Sequence, residues 1–312
     1  MTSTPVPTAA TGGAFRGIWP ALLTPLDERL AIDPGRFAAH SRALVDAGCG
    51  GVTPFGTTGE GPSFSVAERI AAVDALAAAV TPGRILVSTS CAALPDTIAL
   101  TRHALQIGAH GCLMLPPFFL KGVPDQGIVD AYRQVIDGVA DDRLRLYLYH
   151  IPQVAGVGLS HEVIARLLEL YPRTIVGIKD SSCDRVHSVA LAQAFMPPLT
   201  VYVGNETDLP ELGRLGSTGA VSGLANFMPR TVHRMVTQPD APATPQDLAR
   251  VQQMLALLGG YALIPALKGV MAARTGDAGW LRVRPPLVAL GAAQQQALEQ
   301  QLRGFAPDPV HD

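Results

Sequence analysis

Eight short apolar runs, none showing the polar alternation of a half-exposed strand, punctuate this chain. They read GIWPALLTP (17–25), CGGVTPFG (49–56), RILVSTS (84–90), GCLMLPP (111–117), LRLYLYHIP (144–152), TIVGIKDSS (174–182), LTVYVGNE (199–206) and GAVSGLAN (219–226). Continuous runs of this length suit strands buried on both faces, as in a parallel sheet. Helical patterns lie between them, at 36–48, 65–80, 94–109 and 161–171. Ser65 with Glu68 three residues on is a capping-box pattern, Ser160 leads the last helix, and Gly48 suits a C-cap. This alternation predicts an α/β fold, a (β/α)8 (TIM) barrel with a C-terminal helical extension. An open doubly wound sheet is the alternative, but no GxGxxG turn follows the first run.

The expected boundaries follow from where the pattern starts and stops. Residues 1–13, MTSTPVPTAATGG, lack both the basic and the apolar stretch of a signal peptide and read as a disordered tail. Residues 14–238 carry the barrel; strand signals then end, and 239–312 read as a helical extension packed on it. A 312-residue chain with 48% apolar and 16% charged residues is neither disordered nor a coiled coil. A net charge of -2 and a pI near 6.4 offer no basic surface for nucleic acid. No run reaches the roughly 18 apolar residues of a membrane span. Cys49, Cys91, Cys112 and Cys183 are widely spaced, without the Cys/His clustering that zinc needs. Reduced thiols, a cytoplasmic location and no metal are the expectation.

Among 24 basic residues only Lys121, Lys179 and Lys268 are lysines. Barrel enzymes build their sites at the C-terminal ends of strands, and Lys179 stands at such an end, behind the apolar segment 175–178. A desolvated amine can attack a ketone and form an imine, which a guanidinium cannot. Tyr149, on one strand face with Tyr147, is placed to shuttle a proton. Gly56-Thr57-Thr58-Gly59-Glu60 follows the second run, and its turned backbone with two hydroxyls can hold a small carboxylate. An anion cradle, a proton shuttle and an amine together suit a 2-oxo acid such as pyruvate. His103 and His110 read as surface or packing residues, and Lys121 as a loop charge. Cys183 has no neighbouring base to activate it. Lys268 reads as packing or interface, far from the chemistry in sequence, and Lys→Arg there is expected to be mild. Arg282 and Arg284 read as ties between extension and barrel.

GTTGE (56–60), YHIP (149–152) and GIKDSS (177–182) resemble the signature set of the dihydrodipicolinate synthase/N-acetylneuraminate lyase family, and the similarity runs from GIWPALLTPL to LRVRPPL. The resemblance implies a homotetramer built from two tight dimers and a class I, metal-independent lyase acting on small 2-oxo acids and aldehydes. It implies that Lys179 forms a Schiff base with pyruvate, that Tyr149 moves protons, and that Thr57 and Thr58 bind the carboxylate. The departures bear on the partner substrate. Val154 stands where the synthases usually carry an aldehyde-binding Arg, and His150 where Asn often follows the Tyr. Phe119 replaces a Tyr that joins the proton relay across a dimer interface. Gly204 and Glu206 are kept from the sugar-binding pattern of the lyases as expected substrate contacts, but Thr207 replaces its second acid; Ser222 is retained in type and is likewise expected to contact substrate. The expectation is an aldolase or hydratase-aldolase outside lysine biosynthesis. The alternatives are a dihydrodipicolinate synthase with a substituted relay, and a non-catalytic 2-oxo-acid-binding or regulatory protein.

Overall fold

The computed structural model describes residues 15–305, 308 and 310; the tail expected at 1–13 lies outside the described residues. Seven parallel strands, β1 (Gly17–Pro20), β2 (Leu86–Ser88), β3 (Gly111–Met114), β4 (Leu146–His150), β5 (Ile175–Asp180), β6 (Thr200–Val203) and β7 (Gly219–Ser222), form one sheet in the order β1-β7-β6-β5-β4-β3-β2. Its two edges are joined by the second apolar run. Thr53 pairs with Ala21 and Val52 with Ile85, both in parallel. The Thr53 N–H donates to Pro20 O at 2.8 Å, and the Val52 N–H to Arg84 O at 2.8 Å. This closes an α/β barrel, with an eighth stave of two residues where a full strand was expected. The reason is local. Pro54 has no N–H to extend the ladder, and a Cβ at Gly51 would lie 2.3 Å from Arg84 O.

The barrel interior is packed by Phe15, Trp19, Leu86, Leu113, Tyr147, Tyr202 and Val221, and a larger apolar core fills the space between strands and helices. His110 joins the interior at its edge. Its Nε2 is 2.8 Å from the Tyr147 hydroxyl, and its ring meets Phe15 and Trp19. Burial first, then the Arg145 charge, lowers its pKa to about 4. His103 pairs with Asp74 at 2.9 Å. Both histidines thus pack, as read from the sequence.

Helices alternate with the strands, among them Val66–Ala77 and His161–Leu170. The capping box of Ser65 and Glu68 is formed, and Ser160 accepts from the Val163 N–H at 3.2 Å. Gly48 turns the chain off the first helix at φ +98°. After Thr237 come the helices Thr244–Leu258, Leu263–Thr275 and Ala292–Leu302. Arg284 ties this region to the barrel: its Nε donates to Leu30 O at 2.8 Å, and its guanidinium pairs with Glu68. Arg282 donates to Leu26 O at 3.3 Å. Among the described residues, no single helix is long and apolar enough to cross a membrane.

Candidate active site

Strand register decides which side chains meet. In the parallel pair β4–β5, Tyr149 lies opposite Lys179 and His150 opposite Asp180. The Lys179 Nζ therefore reaches the Tyr149 hydroxyl at 3.3 Å and lies 4.4 Å from that ring's centroid. On its other side the Tyr149 hydroxyl is 3.2 Å from Thr57 Oγ1. Lys179 and Tyr149 are only 6% and 3% exposed. One polar chain, Thr57–Tyr149–Lys179, thus crosses the barrel mouth.

The 56–60 turn is held at both ends by left-handed backbone, with Phe55 at φ 62° and Glu60 at φ 56°. Its glycine requirement falls at Gly59 and Gly61, where a Cβ would come within 2.6 Å of Leu22 O and 1.9 Å of Phe55 O. Gly56 would meet only Ser88 Oγ, at 3.4 Å. Thr58 approaches the loop after β7, where a Cβ at Gly223 would lie 3.6 Å from its Oγ1.

Beneath the turn lies Lys268, far away in sequence: it is fully buried and ion-paired to Glu60, a packing role that also supports the turn. Its Nζ also donates to Arg282 O at 2.7 Å, while Glu60 Oε2 accepts from the Arg284 N–H at 3.1 Å. Burial pushes the Lys268 pKa down, and the Glu60 charge opposes that. No short-range signal links positions 60 and 268.

Gly204 leaves room for the amine, since a Cβ there would lie 2.1 Å from Ser181 Oγ and 3.2 Å from Lys179 Cε. Glu206 and Ser222, both proposed as substrate contacts, bond to one another: the Ser222 hydroxyl donates to Glu206 Oε1 at 2.6 Å. Burial raises the Glu206 pKa, opposed first by that hydrogen bond and also by the Leu224 N–H and the Lys179 charge. Val154 stands at the rim of the cavity above Tyr149, whereas Phe119 points away at 74% exposure. Phe118, its neighbour, lines the cavity instead. Lys121 is more than a loop charge, for its Nζ donates to Phe118 O and Ala155 O across the mouth. The Cys183 thiol is shifted up by burial and by the acids Glu206, Asp208 and Asp180, which disfavours a thiolate.

One cluster of potential metal ligands escaped sequence reasoning, because topology and not spacing assembles it. Donor atoms of His150, Asp180 and His187 lie within 4.8 Å of one another. Protein donors already serve it: Ser188 Oγ and Ser182 N–H reach Asp180 at 2.6 and 2.9 Å, and the Leu159 N–H donates to His150 Nδ1 at 2.9 Å. The two imidazoles stack at 4.6 Å and 15°, so their lone pairs lie in near-parallel planes rather than converging. The cluster anchors the residue next to Lys179.

A buried amine thus lies beside a tyrosine hydroxyl at the carboxyl ends of adjacent strands of a closed parallel barrel, the face on which barrel enzymes build their sites. A sequence model of the Dihydrodipicolinate synthetase family matches residues 14–304, and the chain belongs to that family. A Chloroflexus aurantiacus protein named "Uncharacterized DapA-like lyase" is 35% identical over 301 residues, covering 94% of this chain and 99% of its own. A Halobacterium salinarum protein of similar name is 32% identical over 308 residues, covering 96% and 97%. The crystal structure of dihydrodipicolinate synthase from Agrobacterium tumefaciens superposes with a TM-score of 0.86 at 32% identity, covering 93% of this chain and 99% of that one.

Proposed function

We propose that this chain is a Schiff-base-forming lyase of the class I aldolase type, which makes or cleaves a carbon–carbon bond using pyruvate or a related 2-oxo acid. The contact that carries the reading is the Lys179–Tyr149–Thr57 chain at 3.3 and 3.2 Å. The Lys179 amine attacks C2 of pyruvate, and the Tyr149 hydroxyl relays to the departing oxygen the two protons that the nitrogen gives up, so that the oxygen leaves as water. Loss of a proton from C3 gives an enamine. That carbon adds to an aldehyde carbonyl, whose oxygen takes up a proton, and water then hydrolyses the imine. Thr57, through its backbone N–H and hydroxyl, holds both the substrate carboxylate and the Tyr149 hydroxyl; Thr58 completes the cradle. Gly204 keeps the lysine free to swing, while Glu206, bonded to Ser222, sets the charge behind it.

No metal is required by this scheme. We take the working form to be a cytoplasmic homotetramer, with the barrel at 14–238, the helical extension at 239–312, and Phe119 available to an adjoining subunit. The expected experiment is borohydride reduction in the presence of pyruvate, followed by peptide mass analysis. A reduced pyruvyl adduct on the Lys179 peptide supports the reading; label on Lys121 alone, or none, refutes it. Val154 in the place of a carboxylate-binding Arg argues against the lysine pathway. Because the Agrobacterium relative is a dihydrodipicolinate synthase, turnover of aspartate semialdehyde is the direct check on that alternative.

A further inference from the structure

Above the Tyr149 hydroxyl lies a cavity of about 400 Å³. One wall comes from the loops after β3 and β4, with Leu115, Phe118 and Val154; the other comes from the C-terminal region, with Ile264, Pro286 and Leu287. No Lys, Arg or His is among its described lining residues. Its charged lining residue is Glu60, whose carboxylate is already committed to Lys268 and the Arg284 N–H. Ser88 Oγ, buried and unpartnered among the described residues, sits low on this wall beside Gly56. Ser90 Oγ already accepts from the Leu115 N–H at 2.7 Å.

We infer that the aldehyde partner is uncharged and apolar, carrying an aromatic or branched hydrocarbon group that seats between Phe118, Val154, Ile264 and Leu287. This deepens the proposed function and rests on it. A carboxylate-bearing aldehyde would lose its water shell with no cation to replace it, and an unpaired buried charge is strongly disfavoured. Hydroxyls of Thr57, Ser63, Ser88 and Ser90 also line the cavity, but a polyol reaching past them to Phe118, Val154, Ile264 and Leu287 would leave hydroxyls facing hydrocarbon, each costing an unmade hydrogen bond. An apolar group loses nothing there and removes its own surface from water. The bond formed is between C3 of pyruvate and the aldehyde carbon, giving a 4-hydroxy-2-oxo acid with no further reactant.

The test uses the full-length chain with pyruvate and three aldehydes: benzaldehyde, glyceraldehyde and succinic semialdehyde. Formation of the 4-hydroxy-2-oxo acid is followed by liquid chromatography and mass spectrometry, alongside borohydride trapping on Lys179. The expected kcat/KM for benzaldehyde exceeds both others by about 10-fold or more. Val154→Arg, at an exposed rim position, should shift the ratio of succinic semialdehyde to benzaldehyde upward by about 10-fold or more while leaving the Lys179 adduct intact. An intact adduct with preference for the charged or polyol aldehyde, with no benzaldehyde product, or with an unmoved ratio in Val154→Arg, overturns this inference alone. Absence of the adduct overturns the underlying function as well.

Discussion

Replacing Lys268 with Met keeps most of the side-chain length and its apolar stem but deletes the charge facing Glu60. Both side chains are 0% exposed, so water cannot take over. A buried ion pair need not stabilise a fold relative to two apolar residues, because desolvation offsets the Coulomb attraction. Removing one partner is a different matter, since the other charge stays buried. That costs about 3–5 kcal/mol, and the lost donation to Arg282 O, 2.7 Å long, adds on the order of 1 kcal/mol. The Arg284 N–H at 3.1 Å is then the remaining donor to Glu60 among the described contacts, too little to hold a carboxylate away from solvent. Urea unfolding with an unchanged m-value should report the loss as a shifted midpoint. The double variant Glu60→Gln/Lys268→Met should recover at least ~1 kcal/mol relative to the sum of the single changes. Because Glu60 closes the 56–60 turn, surviving Lys268→Met protein should also show a raised KM for pyruvate. A loss below about 1 kcal/mol in the single variant, with strict additivity in the double, would refute the coupling between Glu60 and Lys268. Lys268→Arg should be costly as well, for a wider guanidinium must enter a fully buried site shaped for an ammonium.

Tyr149→Phe should lower kcat by about 10²–10⁴-fold while the borohydride adduct on Lys179 still forms on long incubation; unchanged kcat would remove the tyrosine from the proton path. Gly204→Ala should suppress adduct formation, because its Cβ would stand 3.2 Å from Lys179 Cε, and a normal trapping rate would show that the lysine has other room. His110 has a pKa of about 4 in the fold against an ordinary 6.5. The unfolded chain therefore binds the proton first, and stability falls as pH drops from 6.5 towards 4, by about 3 kcal/mol at most. His110→Phe should have a shallower pH dependence across that window in urea midpoints; parallel curves would contradict the assignment.

The barrel was legible because its signal is local and repeated: each apolar run declares a buried strand without reference to the others. The one stave misjudged in length is the one where Pro54, Gly50 and Gly51 interrupt an apolar run, so that hydrophobicity persists while the ladder cannot. Lys179, Tyr149 and Thr57 were legible for a related reason. Strand ends of a parallel barrel all face one mouth, so residues far apart in sequence can be placed together from topology alone. Glu206 and Ser222 show the limit of that reasoning. Topology brings two polar residues to the mouth, but it does not reveal that they bond to each other at 2.6 Å.

The three lysines separate these two kinds of information. Lys179 could be singled out because its chemistry requires an amine, and residue type alone carries that requirement. Lys268 is as deeply buried as any side chain in the molecule, yet its sequence surroundings, LIPALKGVMAAR, read as an ordinary helix with one charge. What makes it an amine is the Glu60 carboxylate, 208 positions earlier in the chain and turned inward by a backbone conformation that no composition reveals. A chain with so few lysines has therefore kept two of them where arginine cannot serve. In the proposed function Lys179 meets the substrate; Lys268 neutralises Glu60, the acid that closes the 56–60 turn. Lys121, exposed and donating to two loop carbonyls, meets neither condition. There a guanidinium offers the same donors, and Lys121→Arg should be the mild one of the three.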